Sequence, residues 1–326
     1  MINTEPYPWQ RQQWQALTNL LFKQQLPHAL LLKGIAGLGK YDFAMSFAKF
    51  ALCESQTDFQ ACNTCKTCNL FEKQNHPDFF CVKPEEEGKA LKVDQIKSLV
   101  SKMTAASQYN GYKVCLIYPA EAMNISAANA LLKNLEEPVS AKTLYLLVTG
   151  QAMLLPATIR SRCQQINFNP PNVDAIKNWL VTKHIDFGET EFKTALILSQ
   201  NAPLKLLEQL SSESIDRELF NDLTNYIQRQ VLTIPEFIKK YTNLPVKKFI
   251  LTLQLAVAQT IKSSLDAAKR NPGTVFPDSA SLHPGYFAIL DSLNYHKAIS
   301  SKNITLNSQL LIENYLIKLA NQRDFV

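Results

Sequence analysis

Glycine is scarce in this sequence, 9 residues among 326 beside 16 prolines, which excludes a fibrous glycine repeat. No stretch approaches about 18 uninterrupted apolar positions, so no membrane-spanning helix is expected. The opening Met1–Gln25 interleaves Glu5, Arg11 and Lys23 with its apolar residues and does not read as a secretory leader, so the expected compartment is the cytoplasm. Basic blocks are missing too: 34 Lys and Arg against 28 Asp and Glu leave a charge of +6 scattered along the chain. That balance allows contact with nucleic acid without demanding it. There is no repeat of fixed period and no low-complexity tract. What is present, 46% hydrophobic residues, is an ordinary globular composition. At roughly 100–200 residues per domain, the length predicts two or three domains.

In the first half, short apolar runs alternate with amphipathic stretches. His28–Leu32, Phe79–Val82, Val114–Ile117, Thr143–Val148 and Gln165–Phe168 read as strands covered on both faces, because they lack clean alternation. Between them Tyr41–Leu52 places Phe43, Ala44, Phe47, Ala48 and Ala51 on one helical face. Asp94–Ala106 repeats Ile96, Leu99, Val100 and Met103 at helical spacing, with Asp94 as a candidate cap. Strands separated by helices predict a mainly parallel sheet, hence an α/β fold. After Asn169-Pro170-Pro171 the strand signals stop, and all-α patterns follow: short ones to about Leu210, then longer ones such as Phe249–Leu265 and Asn307–Leu319. The last carries Leu310, Leu311, Tyr315, Leu316 and Leu319 on an apolar stripe, and Asn271–Gly285, with three prolines, reads as a long loop.

Gly34-Ile35-Ala36-Gly37-Leu38-Gly39-Lys40-Tyr41 follows a strand and opens a helix, the setting in which a glycine-rich loop turns backbone N–H groups toward phosphates. The spacing of Gly34, Gly37, Gly39 and Lys40 is that of a P-loop. The next position, where a Ser or Thr hydroxyl would hold magnesium, is Tyr41, whose phenol is too long for that ligand role. The strand Lys113–Ile117 should end in an acid that organises the metal shell, but it runs into Tyr118-Pro119, and Glu121 arrives late. Two losses from one phosphate-transfer site argue against hydrolysis and against productive binding of ATP with Mg²⁺, since catalysis there is metal electrostatics and positioning. Two readings of the loop stay open: architecture without a ligand, and residual nucleotide binding.

Cys53, Cys62, Cys65 and Cys68 form a C-x8-C-x2-C-x2-C array inserted after the helix that follows the loop. The short spacings let two thiolates reach one ion from a tight turn, and four complete a closed tetrahedral shell. A structural Zn²⁺ is the expectation, an iron–sulfur cluster the chemical competitor. Cys81, Cys115 and Cys163 sit in or beside strands and read as buried thiols, and His76 reads as a loop residue. A nucleic-acid-binding role for the module would need basic and aromatic neighbours, of which Lys66, Lys73 and Phe71 are the available ones. Finally, Thr158-Ile159-Arg160-Ser161-Arg162-Cys163 reads as a loop presenting an arginine, a planar fork suited to a γ-phosphate.

Between these features lies Asn124-Ile125-Ser126-Ala127-Ala128-Asn129-Ala130-Leu131-Leu132-Lys133-Asn134-Leu135-Glu136-Glu137-Pro138. It is an amphipathic helix with Ala127, Ala130, Leu131 and Leu135 inward, and it resembles the N-A-L-L-K-x-L-E-E-P signature of bacterial clamp-loader subunits. Ser161-Arg162-Cys163 resembles their S-R-C motif, and the order of P-loop, four-cysteine module, degenerate strand, Leu-Leu-Lys helix and S-R-C also matches over residues 28–168. The resemblance implies a P-loop AAA+ ATPase-like domain with a parallel sheet over residues 1–168, the zinc module (53–68) inserted in it. A small helical lid over 169–210 and a helical collar over 211–326 would follow. Hydrolysing members of the gamma/tau type keep Thr after the P-loop lysine and an acidic pair where Tyr118-Pro119 stands, and the lid segment Asn201-Ala202-Pro203-Leu204-Lys205 lacks their arginine. The implied role is a non-hydrolysing member of a hetero-pentameric ring with gamma/tau and delta subunits, loading the sliding clamp onto primer-template DNA, with Arg162 acting in trans on a neighbour's ATP. An active ATPase of the same fold and a zinc-based nucleic-acid module are the competing readings.

Overall fold

Strand and helix alternate from the start because each apolar run is too short to be a helix and each amphipathic stretch too periodic to be a strand. In the computed structural model the described residues are 5–86, 88–109, 111–185, 189–211, 215–228, 233–241, 244–270, 284–300 and 308–321. By its contacts the chain divides into two units, Met1–His184 with Ala202–Lys205, and Ile185–Asn201 with Leu206–Val326.

The first unit opens with α1 (Arg11–Phe22), β1 (Ala29–Lys33), α2 (Lys40–Leu52) and α3 (Lys66–Glu72). It continues through β2 (Phe79–Val82), α4 (Val93–Thr104), β3 (Lys113–Ile117), α5 (Ile125–Glu136) and β4 (Thr143–Thr149), and closes with α6 (Ala157–Arg162), β5 (Gln164–Asn167) and α7 (Val173–Thr182). The five strands pair only in parallel, in the order β2-β3-β4-β1-β5. Leu32 of β1 lies level with Val148 of β4 and Ile166 of β5, so the strand leading into the glycine loop is paired on both sides.

Successive side chains of a strand face opposite ways, and here both faces are apolar. Leu30, Leu32, Leu116 and Leu146 pack in one core with Trp14, Phe43 and Phe71. Leu31, Ile117 and Leu147 pack in another with Ile96, Leu131 and Ile159. Thus α1, α2 and α3 cover one face and α4, α5 and α6 the other. The predicted one-sided α2 is in fact buried all round, Met45, Lys49 and Phe50 included, because α1 and α3 close over its outer side. Lys49 survives burial by pairing with Glu72 of α3.

Three sequence readings need correction here. The N-cap of α4 is Lys92, whose backbone N–H is bonded by the Gln95 side chain at 2.9 Å, so Asp94 falls inside the first turn. The S-R-C arginine is carried by the short helix α6 instead of a loop, since Pro156 starts a helical turn on the buried anchor Ile159. Cys81 is exposed, on the edge strand β2, whereas Cys115 and Cys163 are buried as expected.

The second unit is all-helical among the described residues, with α8 (Glu189–Leu198), most of α9 (Pro203–Ser211), α10 (Ile215–Ile227), α11 (Ile234–Lys240), α12 (Val246–Arg270), α13 (Pro284–Ser300) and α14 (Ser308–Asn321). Leu223, Phe237, Phe249, Leu253, Leu293 and Leu316 form its core. On α14 the stripe runs through Leu311, Ile312, Tyr315, Leu316 and Leu319, while Leu310 is 63% exposed, because Ile312 takes the inward place the sequence reading assigned to it. The predicted loop at 271–283 lies outside the described residues, and Pro284 already begins α13.

Candidate functional site

Parallel strands bring their C-terminal ends to one edge, where open α/β sheets place their ligands. Gly34 leaves β1 there, Lys83 leaves β2, Tyr118 leaves β3 and Gly150 leaves β4. Gly34, Gly37 and Gly39 all have positive φ, and α2 begins at Lys40 without a side-chain cap. Space adds to the need for glycine at all three: a Cβ at Gly34 would collide with the Phe168 carbonyl oxygen, one at Gly37 would come within 2.7 Å of Lys205 Cγ, and one at Gly39 within 2.5 Å of the Tyr7 ring.

The loop is braced from outside. Gln10 Nε2 and Trp9 Nε1 both donate to the Leu38 carbonyl, at 2.8 and 3.0 Å, and the Leu204 N–H donates to the Gly37 carbonyl at 3.1 Å. Tyr7 stacks on Trp9 with centroids 5.0 Å apart, and Trp179 meets Trp9 edge-on at 5.1 Å. Lys40 is only 6% exposed and donates to the Ile35 carbonyl of its own loop at 2.6 Å. Burial pulls its ammonium down to about 8, Lys205 pushes the same way, and the Glu121 carboxylate opposes both. Glu121 Oε1 is anchored by the Gly150 N–H at 2.8 Å.

Around the place where a magnesium shell would form, the structure holds two phenols, an amine and the Glu121 carboxylate, whose Oε2 is buried without a hydrogen-bond partner. The Tyr41 and Tyr118 rings lie 5.0 Å apart, and Lys83 Nζ stands 4.0 Å over the Tyr41 ring. Burial pulls the Lys83 ammonium down, but its hydrogen bond and charge interaction with the Tyr41 oxygen, with smaller help from Cys81 and Tyr118, leave it above the ordinary lysine value, so it carries a positive charge beside this spot. A cation in that place repels a divalent ion. Sequence reasoning missed Lys83 and Tyr7, and named Lys205 only as part of a lid segment without an arginine. Lys83 had a signal, since it is the residue after a strand parallel to β1 and so must share its edge, whereas Tyr7 and Lys205 arrive by tertiary packing alone.

At the other end of the sheet unit, Arg162 ends α6. Its side chain is 34% exposed and its Nη2 is ion-paired with Glu136 Oε1, the last residue of α5. Nε donates to the same oxygen at 2.5 Å, and Nη1 to the Thr158 carbonyl at 3.0 Å. Neighbouring Arg160 turns instead to Met153, Nη1 to Sδ 3.4 Å.

The four cysteines come together. The Sγ atoms of Cys53, Cys62, Cys65 and Cys68 all lie within 4.8 Å of one another, with Cys53 to Cys62 at 3.5 Å and Cys53 to Cys65 at 3.9 Å. A tetrahedral shell with Zn–S of about 2.3 Å would set its sulfurs about 3.8 Å apart, so the set fits one ion and is far too open for disulfides. Backbone N–H groups of Cys62, Cys65 and Cys68 donate to the sulfurs of Cys53, Cys62 and Cys65 at 3.3, 3.3 and 3.4 Å. Donors from Thr64 and Cys65 draw Cys62 down to about 6, which favours its thiolate, while burial pushes Cys53 and Cys68 up. All four residues would ligate through sulfur, leaving no open position. His76 is not part of the cluster; its Nδ1 accepts the Asp78 N–H at 3.1 Å.

Residues 9–172 match the family described as DNA polymerase III, delta subunit, which is half of the chain. The chain is 42% identical over 198 residues to DNA polymerase III subunit delta' of Pseudomonas aeruginosa, 61% of this chain and 59% of that protein. It is 32% identical over 232 residues to the subunit delta' of Yersinia pestis, covering 69% and 68%. The chain belongs to the DNA polymerase III delta' family. Subunit delta' of Escherichia coli matches at 31% over 197 residues, 60% of this chain and 58% of that one. The chain thus spans less than two thirds of the Pseudomonas and Escherichia delta' proteins. Among solved structures, a DNA polymerase III gamma subunit-related protein of Thermotoga maritima is 17% identical with a TM-score of 0.49, covering 95% of this chain and all of that one. In this delta' relative the P-loop crevice, the four-thiol module and Arg162 all fall inside the matched span 9–172. No helix among the described residues is long and apolar enough to cross a membrane.

Proposed function

We propose that this delta' family member is a non-hydrolysing subunit of the DNA polymerase III clamp loader, working in ATP-dependent loading of the sliding clamp onto primed DNA. The observation that carries this reading is the Tyr41–Tyr118 pair with Lys83 over it, standing where phosphoryl transfer needs a hydroxyl, an acid and a metal ion. Its own site cannot assemble a magnesium shell, so its contribution to ATP turnover lies elsewhere, in Arg162. That guanidinium is part exposed at the end of α6 and permanently charged, and it acts in trans on ATP bound by a neighbouring gamma/tau-type subunit. Stabilising the transition-state charge in this way is worth about 10³–10⁵ in rate in other phosphoryl-transfer enzymes.

The chain is organised as an ATPase-like domain over 1–168, a lid over 169–210 and a collar over 211–326 that joins gamma/tau and delta subunits in a five-membered ring. Cys53, Cys62, Cys65 and Cys68 hold a structural Zn²⁺, whose service would be to fix the α2–α3 connection; the closed sulfur shell gives it no catalytic position. The test is a loader reconstituted with gamma/tau and delta subunits. With Arg162→Ala it should assemble normally and turn over ATP far more slowly, and the isolated wild-type chain should show no magnesium-dependent hydrolysis. Hydrolysis by the isolated chain would establish the active-ATPase reading instead.

A further inference from the structure

We propose that Glu136 is the positioning residue for Arg162, holding the guanidinium so that its outer edge is presented to a phosphate on a neighbouring subunit. Glu136 has this role only where Arg162 acts in trans as proposed above.

A guanidinium has five N–H donors in one plane. Here Nε and Nη2 share Glu136 Oε1, and Nη1 reaches the Thr158 carbonyl one helical turn back. Three donors are thereby engaged within the chain. One N–H on each terminal nitrogen is left, so two donors remain for the oxygens of a phosphate. The carboxylate occupies the inner notch and the ligand edge stays open, so Glu136 does not have to let go for Arg162 to act.

The scaffold under the pair is stiff. Leu131 and Leu135 of α5 pack in one core with Ile159 of α6 and Cys163, each at most 6% exposed, so both backbones that carry the pair are fixed. A long arginine side chain would otherwise sample many rotamers, and a catalytic charge gains from being ordered before its ligand arrives. Stability does not account for the pair, because ion pairs with side chains 34% and 47% exposed contribute little to folding. Glu137 and Pro138 end the helix just beyond, which places the Glu136 carboxylate at a helix C-terminus, an unfavourable site for an anion without a cation against it.

The experiment measures steady-state ATP turnover of the reconstituted loader carrying Glu136→Ala, Glu136→Gln, Arg162→Ala or the Glu136→Ala/Arg162→Ala pair in this subunit. Glu136→Ala should lower kcat by up to about 10²-fold, as misplacing a catalytic group does, with KM for ATP unchanged because the neighbour's pocket binds the nucleotide. Glu136→Gln keeps an acceptor oxygen and should recover most of the rate. The double variant should be no slower than Arg162→Ala alone. Turnover at or above wild type in Glu136→Ala, with Arg162→Ala slow, would overturn the positioning role and leave the finger standing. Unchanged turnover in Arg162→Ala would remove the finger and the role of Glu136 with it.

Discussion

Lys40 of the glycine loop and Arg162 of α6 are the cations to which phosphate chemistry is proposed above, and the structure treats them in opposite ways. Lys40 is 6% exposed, spends its hydrogen bond on its own loop at Ile35 and is pulled down to about 8 by burial. Arg162 keeps a third of its side chain in solvent and has donors left after its intramolecular bonds are counted. On the function proposed above, the difference teaches that a P-loop can keep its architecture while the working charge stands elsewhere. A buried ammonium that titrates easily serves packing; a guanidinium that cannot titrate suits a partner.

The strongest way to break this comparison is at the rim. Arg162→Ala in the assembled loader should lower ATP turnover by about 10³-fold or more, and Arg162→Lys should fail to restore it, because an ammonium lacks the planar fork. Next comes the thiol module, which follows the C-terminal end of α2. One Zn²⁺ per chain is expected by elemental analysis, and Cys68→Ser should abolish it. Hydrogen exchange would then accelerate across α3 and the end of α2 while α12 keeps its protection, since Cys53 caps α2 and the Lys49–Glu72 pair joins α3 to it.

A gain-of-function experiment sharpens the crevice half of the comparison. Tyr41→Thr with Tyr118→Asp should give little magnesium-dependent ATP binding while Lys83 remains, and adding Lys83→Ala should raise that affinity about tenfold or more, read by calorimetry with and without Mg²⁺. Equal affinity with and without Lys83 would show that its charge is not what bars the ion. The smallest effect concerns Lys40. Its folded-state pKa of about 8 lies below the ordinary 10.5, so the folded protein loses its proton more readily than the unfolded chain. Wild type should therefore gain stability as pH rises from about 8 toward 10.5, and Lys40→Met, more stable than wild type at pH 7, should lose that lead across the same window in thermal melts.

Much of the fold was readable because its signals are local. The five strands fall within a residue or so of their expected places, since both-face burial demands continuous apolar runs. The cysteine spacing foretold the cluster because two x2 turns leave the thiols few places to go. Errors arose where a short-range rule met a tertiary override. Asp94 looked like a cap until Gln95 bonded Lys92, and the arginine loop became α6 because Ile159 found a core. Leu310 stayed outside because Ile312 held the inward position.

The sequence by itself determined that the P-loop spacing is kept, that Tyr41 follows its lysine and Tyr118-Pro119 follows β3, and that four thiols sit at ligand spacing. Those are properties of neighbours along the chain, fixed by residue type. Only tertiary structure decided what stands in the metal's place and how the arginine is held. Lys83 reaches Tyr41 from 42 positions away and Glu136 reaches Arg162 from 26, across strands and helices whose order no local pattern encodes. Charge at a distance follows the packing of the cores, and the packing belongs to the whole unit.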